Sequence, residues 1–199
     1  MLAETAELEL ADKLSDDQRN FLAKKISELS QRPNSSLLPR TAEDILKALD
    51  SQIVVVCLED KTPAFVVAFE NTGNPDFVEV GMTCNLETSD IHGKDVFPDI
   101  IDFYYELKGN TGKMLYLTTT DIRMMLIASE AGFRPLENIH ACFPLDVLIF
   151  CCNPCSPKKT GVSKAGQQLE SCPRFKGDFI VTTGSPCTHH PCKIFARMI

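Results

Sequence analysis

The sequence holds no run of the roughly 18 consecutive apolar residues that a membrane-spanning helix needs, so no membrane association through such a span is expected. It also lacks an apolar stretch near its start. "MLAETAELELADKLSDD" (1–17) is acidic, which counts against a secretory leader. An excess of positive charge is missing: 27 Asp/Glu outnumber 20 Lys/Arg, and a net charge of −7 argues against general nucleic-acid binding. An even cysteine complement is missing too. Nine cysteines without a leader speak for a reducing, cytoplasmic setting and against a disulfide framework.

What is present is an ordinary globular composition: 199 residues, 44% apolar and 24% charged, enough for one domain with a substantial core. Charge and cysteine are unevenly spread. Residues 150–199 carry seven Lys/Arg against two acids, a net +5, so the residues before them carry −12. The plainer reading is an acidic body offset by a solvated basic tail. Seven of the nine cysteines lie at or beyond Cys142.

Local patterns predict an α+β chain, in the order β-α-α-β-β-β-α-β-α-β-(insert)-β, without internal repeats. "AELEL" (6–10) alternates weakly, as an edge strand would. Ser15 with Gln18 makes a capping box ahead of Phe21, Leu22, Ile26 and Leu29 at helical spacing. Thr41 with Asp44 marks a second helix start, leading to Ile45, Leu46 and Leu49. Three strand-like runs follow, at 52–59, 63–70 and 76–84, joined by short turns and hence expected as an antiparallel meander. In the third, Val78, Val80 and Met82 are expected on one face and Glu79, Gly81 and Thr83 on the other.

The segment after Asp95 has a helical stripe of Phe97, Ile100, Ile101, Tyr104 and Leu107, with Pro98 expected in its first turn. "MLYLTTT" (114–120) reads as a strand. Asp121 can cap a helix through Ala131, with Gly132 as its C′ residue and Pro135 blocking continuation. Strands are also expected at 140–150, 178–183 and 193–199.

This element order, with "LYLTTTDIRMMLIASEAGFRP" (115–135), resembles the GCN5-related N-acetyltransferase (GNAT) superfamily. The carrying features are the strand, the polar residue Asp121 where an Asn is frequent, and the helix closed by Gly132-Phe133. The resemblance spans about residues 5 to 150 plus the last strand. It implies an α+β fold: a mixed, mainly antiparallel twisted sheet with helices on both faces. The chain would then be a single GNAT-like domain over 1–199, with a cysteine-rich insertion or tail at about 151–192.

It further implies acetyl-coenzyme A bound between two splayed central strands, here 77–84 and 114–120. Candidate cofactor-binding residues are Thr83, Cys84, Gly93, Lys94, Asp95, Val96 and Asp121. The diphosphate would meet backbone N–H groups at the positive end of the next helix, in "SDIHGKDVFPDII" (89–101). The family's loop usually runs Gln/Arg-x-x-Gly-x-Gly/Ala, and here Asp90 and Asp95 fill its first and last positions. Asp95 is also a good N-cap residue, able to take the donors a phosphate would use. A Walker A loop is excluded, because Thr88 stands at its first Gly and Asp95 follows Gly93-Lys94.

Acetyl transfer needs a base for the amine and a donor for the leaving thiolate. Some relatives place a Glu on the fourth strand, where Glu79 lies; a solvent-facing strand Glu is the plainer alternative. The family's frequent thiolate-protonating Tyr is replaced by Ala128, and Tyr116 is a candidate substitute or else a core residue. These departures keep a second reading open, a non-catalytic binding or regulatory protein on the same fold. The acceptor would be an amine on a small molecule or a peptide.

Finally, "CCNPC" (151–155) and "CTHHPC" (187–192) offer Cys152, Cys155, Cys187 and Cys192 as ligands for a structural zinc. Cys152 and Cys155 have zinc-knuckle spacing, but the second pair is spaced wider than a ribbon prefers. Scattered reduced cysteines and redox chemistry remain alternatives.

Overall fold

A two-residue turn closes a long antiparallel hairpin. Strand β2 (Ile53–Glu59) and strand β3 (Thr62–Asn71) pair antiparallel, with Glu59 opposite Thr62. The two residues between them, Asp60 and Lys61, take φ of 49° and 65°, the left-handed pair that matches strand twist in a two-residue hairpin. Both strands are buried on both faces, as their unbroken apolar runs require.

The computed structural model describes residues 6–32, 35, 37, 39–109, 112–119, 121–136, 144, 147 and 193–198. The strands expected at 140–150 and 178–183 fall outside these residues, apart from positions 144 and 147. The zinc candidates Cys152, Cys155, Cys187 and Cys192 also lie outside the described residues. Within them, no group of three or more His, Cys, Asp or Glu side chains could hold a metal ion. No helix among the described residues is long and apolar enough to cross a membrane.

Among the described residues the remaining strands are β1 (Ala6–Leu10), β4 (Phe77–Asn85), β5 (Met114–Thr119), β6 (Arg134–Pro135) and β7 (Lys193–Met198). The sheet order is β1-β2-β3-β4-β5-β7-β6. Pairing is antiparallel between β1 and β2, β5 and β7, and β6 and β7, whereas β4 and β5 run parallel. The α+β, mainly antiparallel arrangement is the one expected.

The chain forms two compact units, and β4 contributes to each. The first comprises residues 1–70 and 80–111. Here α1 (Asp16–Ser30) and α2 (Ala42–Ser51) begin with the two expected capping boxes, both fully formed. Leu22, Ile26, Leu29, Ile45 and Leu49 pack on Val54, Val56, Val66 and Ala68. Helix α3 (Gly93–Lys108) covers the opposite face, where Tyr104 stacks on Phe69 with ring centroids 3.9 Å apart. Helices therefore cover both faces here. Burying each such Leu, Ile or aromatic side chain contributes about 1.5–3 kcal/mol.

Two expectations change in this unit. Helix α3 starts at Gly93, so Pro98 lies in its second turn, not its first. The ring removes the N–H that would bond to the Lys94 carbonyl. The alternation of β4 also slips. Met82 takes a left-handed φ of 44°, and a Cβ at Gly81 would meet Glu70, which is in step with Val66 and Ala68. Met82 joins the same core cluster as those two residues. Gly81 and Met82 thus address one side, as at a β-bulge.

The second unit comprises residues 71–79 and 112–199. Tyr116, Val147, Ile194 and Ala196 form its buried cluster, with Phe77 and Met114 against it. Helix α4 (Ile122–Glu130) ends as predicted. Gly132 (φ 82°) donates to the Ser129 carbonyl at 3.1 Å, and Phe133 donates to the Ala128 carbonyl at 3.0 Å. This double closure is a Schellman motif, and it buries Phe133 completely. Arg197 on β7 adds a cation, its Nη1 donating to the Ala131 carbonyl at 2.7 Å.

Candidate functional site

In the first unit, the candidate residues gather where β4 ends and α3 begins. Leu86 anchors the connection, its N–H donating to the Ala64 carbonyl at 2.9 Å. Asn85 then clasps the loop from inside. Its Nδ2 donates to the Ile91 carbonyl at 2.7 Å, and its Oδ1 accepts from the Glu87 N–H at 2.7 Å. Thr88 Oγ1 donates to the Pro63 carbonyl at 2.6 Å. Outside, Arg32 at the end of α1 grips Glu87 with two bonds of 2.7 and 2.9 Å, which lowers the Glu87 pKa. The α3 start is therefore held by side chains from three directions.

The helix start itself carries no side-chain cap. His92 occupies the N-cap position without a capping hydrogen bond. Asp95, expected to cap, sits three residues further on as the third helical residue, where its N–H bonds to the His92 carbonyl at 2.9 Å. Its carboxylate therefore does not close the first turn. Asp90, Lys94 and Asp95 are all exposed, so water and salt weaken both the repulsion between the two carboxylates and their attraction to Lys94. Val96 is buried, so its side chain is closed to a ligand.

Thr83 is half-buried, whereas Cys84 turns into the core. Burial pushes the Cys84 thiol up to about 12, so it stays protonated. Its contribution to a ligand would likewise be backbone.

In the second unit, the parallel register of β4 and β5 sets Glu79 directly opposite Tyr116. The two catalytic candidates, 37 positions apart in sequence, are thus brought together. Thr118, two residues along β5 and on the same face, donates its Oγ1 proton to Glu79 Oε1 at 2.9 Å. Glu79 is half-buried and Tyr116 fully buried, in the cluster with Ile194 and Ala196. Thr118 escaped sequence reasoning; its i, i+2 relation to Tyr116 on a strand is the signal that would have found it. Asn85 also escaped, although an Asn ahead of a Glu-Thr-Ser-Asp loop is a common turn former.

Asp121 caps α4, accepting from the Arg123 N–H at 2.9 Å. The Arg123 guanidinium holds the same carboxylate through Nε at 3.1 Å and Nη2 at 2.7 Å. That side-chain bond lowers the Asp121 pKa. Ala128, where the family's Tyr would stand, is buried completely. Ser129 is turned back on its own helix, its Oγ donating to the Met125 carbonyl at 2.9 Å.

No protein-family model matches the sequence, and no curated protein matches it. Solved structures do. The chain is similar to an N-acetyltransferase from Staphylococcus aureus Mu50, at 17% identity over 66% of this chain and 83% of that one, TM-score 0.52. It is similar to a Salmonella typhimurium acetyl transferase that modifies the N-terminal serine of the 50S ribosomal subunit protein L7/L12. There the identity is 11% over 99% and 96% of the two chains, TM-score 0.53. N-acetylglutamate synthase from Neisseria gonorrhoeae, solved with coenzyme A and N-acetyl-glutamate, matches at 11% identity over 100% of this chain and 36% of that one, TM-score 0.56. At such identities the likeness defines the fold. It is the fold of the GNAT acetyltransferases, in divergent form.

Proposed function

We propose that the protein is an acyl-coenzyme A-dependent N-acyltransferase that moves an acetyl group to an amine on a small molecule or peptide. The observation that carries this reading is the braced, uncapped first turn of α3, which leaves backbone N–H groups at the positive end of a 16-residue helix. Those of Gly93 and Lys94, with the Lys94 ammonium beside them, would hold the diphosphate of acetyl-coenzyme A, whereas the Asp95 N–H is already bonded to the His92 carbonyl. The backbone at Thr83 and Cys84 would hold its pantetheine arm.

In the proposed reaction the amine nitrogen attacks the thioester carbonyl carbon, a C–N bond forms and the C–S bond breaks. Glu79 takes the proton the amine sheds, and the Thr118 hydroxyl fixes the orientation of its carboxylate. Tyr116 is the proposed proton source for the departing thiolate, a role Ala128 cannot fill.

A second reading, a non-catalytic binding protein on the same fold, is favoured by Ala128 and by the engagement of Asp121 with Arg123. Product mass spectrometry with acetyl-coenzyme A and an amine panel separates the two. The first reading expects acetylated product, and Glu79→Gln should lower kcat about 100-fold or more with the KM for acetyl-coenzyme A unchanged. Wild-type protein that binds the coenzyme yet acetylates no amine would support the second.

A further inference from the structure

One buried carboxylate in the first unit is not explained by packing. Glu70 closes the buried stretch of β3 and is only 8% exposed. A charge so placed is costly unless it is paired. Two local features of β4 accompany it. A Cβ at Gly81 would lie 2.6 Å from Glu70 Oε1, so β4 carries a glycine where the carboxylate rests. The next residue, Met82, takes its left-handed φ, a conformation that costs about 1 kcal/mol or more for a non-glycine residue.

The partner cation is equally well placed. Arg40 ends the segment between α1 and α2, and two serines of α1 pin its backbone. Its N–H donates to Ser30 Oγ at 3.1 Å, and its carbonyl accepts from Ser27 Oγ at 2.9 Å. Ser30 is 2% exposed. From that anchor Arg40 Nη2 donates to Glu70 Oε1 at 3.2 Å. Among the described residues this is the sole hydrogen bond of either charged group. A guanidinium has five N–H donors in a planar fork, so most of its capacity remains, as does Glu70 Oε2. The side chains are 25% and 11% exposed, so the pair is reachable from one side.

An ion pair serving stability alone gains little over an apolar pair of the same volume. A cationic fork beside a carboxylate, each with unused capacity, instead matches a ligand carrying both opposite charges. We propose that Arg40 and Glu70 bind a free amino acid or a similar zwitterion. Its carboxylate takes the remaining Arg40 donors, and its ammonium takes Glu70 Oε2.

The test compares the standard amino acids with their C-terminal amides as ligands in calorimetry on the full chain. The proposal expects roughly 100-fold preference for the acids, because a site built for a carboxylate rejects the analogue lacking it. Arg40→Lys keeps the charge and the Glu70 pair but loses the fork. Its preference should fall to about tenfold or less, with the melting temperature and acetyl-coenzyme A affinity retained. Amides bound as well as acids, or a preference unchanged in Arg40→Lys, would overturn it. A parallel acetyl-coenzyme A titration judges the acyltransfer reading separately, since the amino-acid heats are read without coenzyme.

Discussion

Helices α3 and α4 both follow a strand through a polar connection, and both have an aspartate near their start. They use it differently. Asp121 occupies the N-cap of α4, accepts from the Arg123 N–H and is locked by the Arg123 guanidinium. Asp95 stands three residues inside the start of α3, exposed, and the N-cap His92 makes no capping bond. Ser15 and Thr41 close α1 and α2 as fully as Asp121 closes α4. With its carboxylate displaced by three positions, α3 lacks the side-chain cap that α1, α2 and α4 have. The loop ahead of α3 is nevertheless the one braced by Asn85, Thr88 and the Arg32–Glu87 pair, so its lack of a cap does not reflect slack structure.

Closing α3 artificially should have the largest effect. Gly93→Asp places a carboxylate at its first helical position, and acetyl-coenzyme A affinity measured by calorimetry should fall roughly 100-fold through charge repulsion at the diphosphate. Its melting temperature should hold or rise, since an acid at this end suits the helix. Opening α4 is the reciprocal change. Asp121→Ala should cost about 1–2 kcal/mol in denaturant unfolding while coenzyme affinity stays within about twofold; a larger loss of affinity would return Asp121 to the binding site.

His92→Ser gives α3 a neutral cap. It should stabilise the fold by about 0.5–1 kcal/mol and weaken the coenzyme severalfold. The smallest effect concerns pH. The Arg123 bond lowers the Asp121 pKa, so its stabilisation is present above the ordinary carboxylate value of about 3.9 and lost as pH falls below it. Arg123 is 82% exposed, which limits the effect to under about 1 kcal/mol. Arg123→Ala should flatten the stability–pH curve in that window.

Features decided within a few residues were legible in the sequence. The boxes at Ser15–Gln18 and Thr41–Asp44 and the closure at Gly132-Phe133 depend on neighbours three to five positions away, so residue type and spacing specify them. Glu79 and Tyr116 were legible singly; their pairing depends on a parallel register between distant strands, which spacing does not encode. The same holds for Thr118 against Glu79, and for Arg40 against Glu70, 30 positions apart. The α3 start was misplaced because Asp95 has strong N-cap chemistry, whereas the clasp from Asn85 to Ile91 sets where the chain turns into the helix. The β4 slip at Gly81–Met82 was hidden for a similar reason: Glu70, which rests against Gly81, lies on another strand.

Titration of the full chain with acetyl-coenzyme A in the calorimeter, wild type beside Gly93→Asp, tests the central claim most directly. The account predicts saturable binding by the wild type, with the Kd raised roughly 100-fold in the variant. No heat from the wild type at millimolar ligand, or equal affinities in the two proteins, would contradict it.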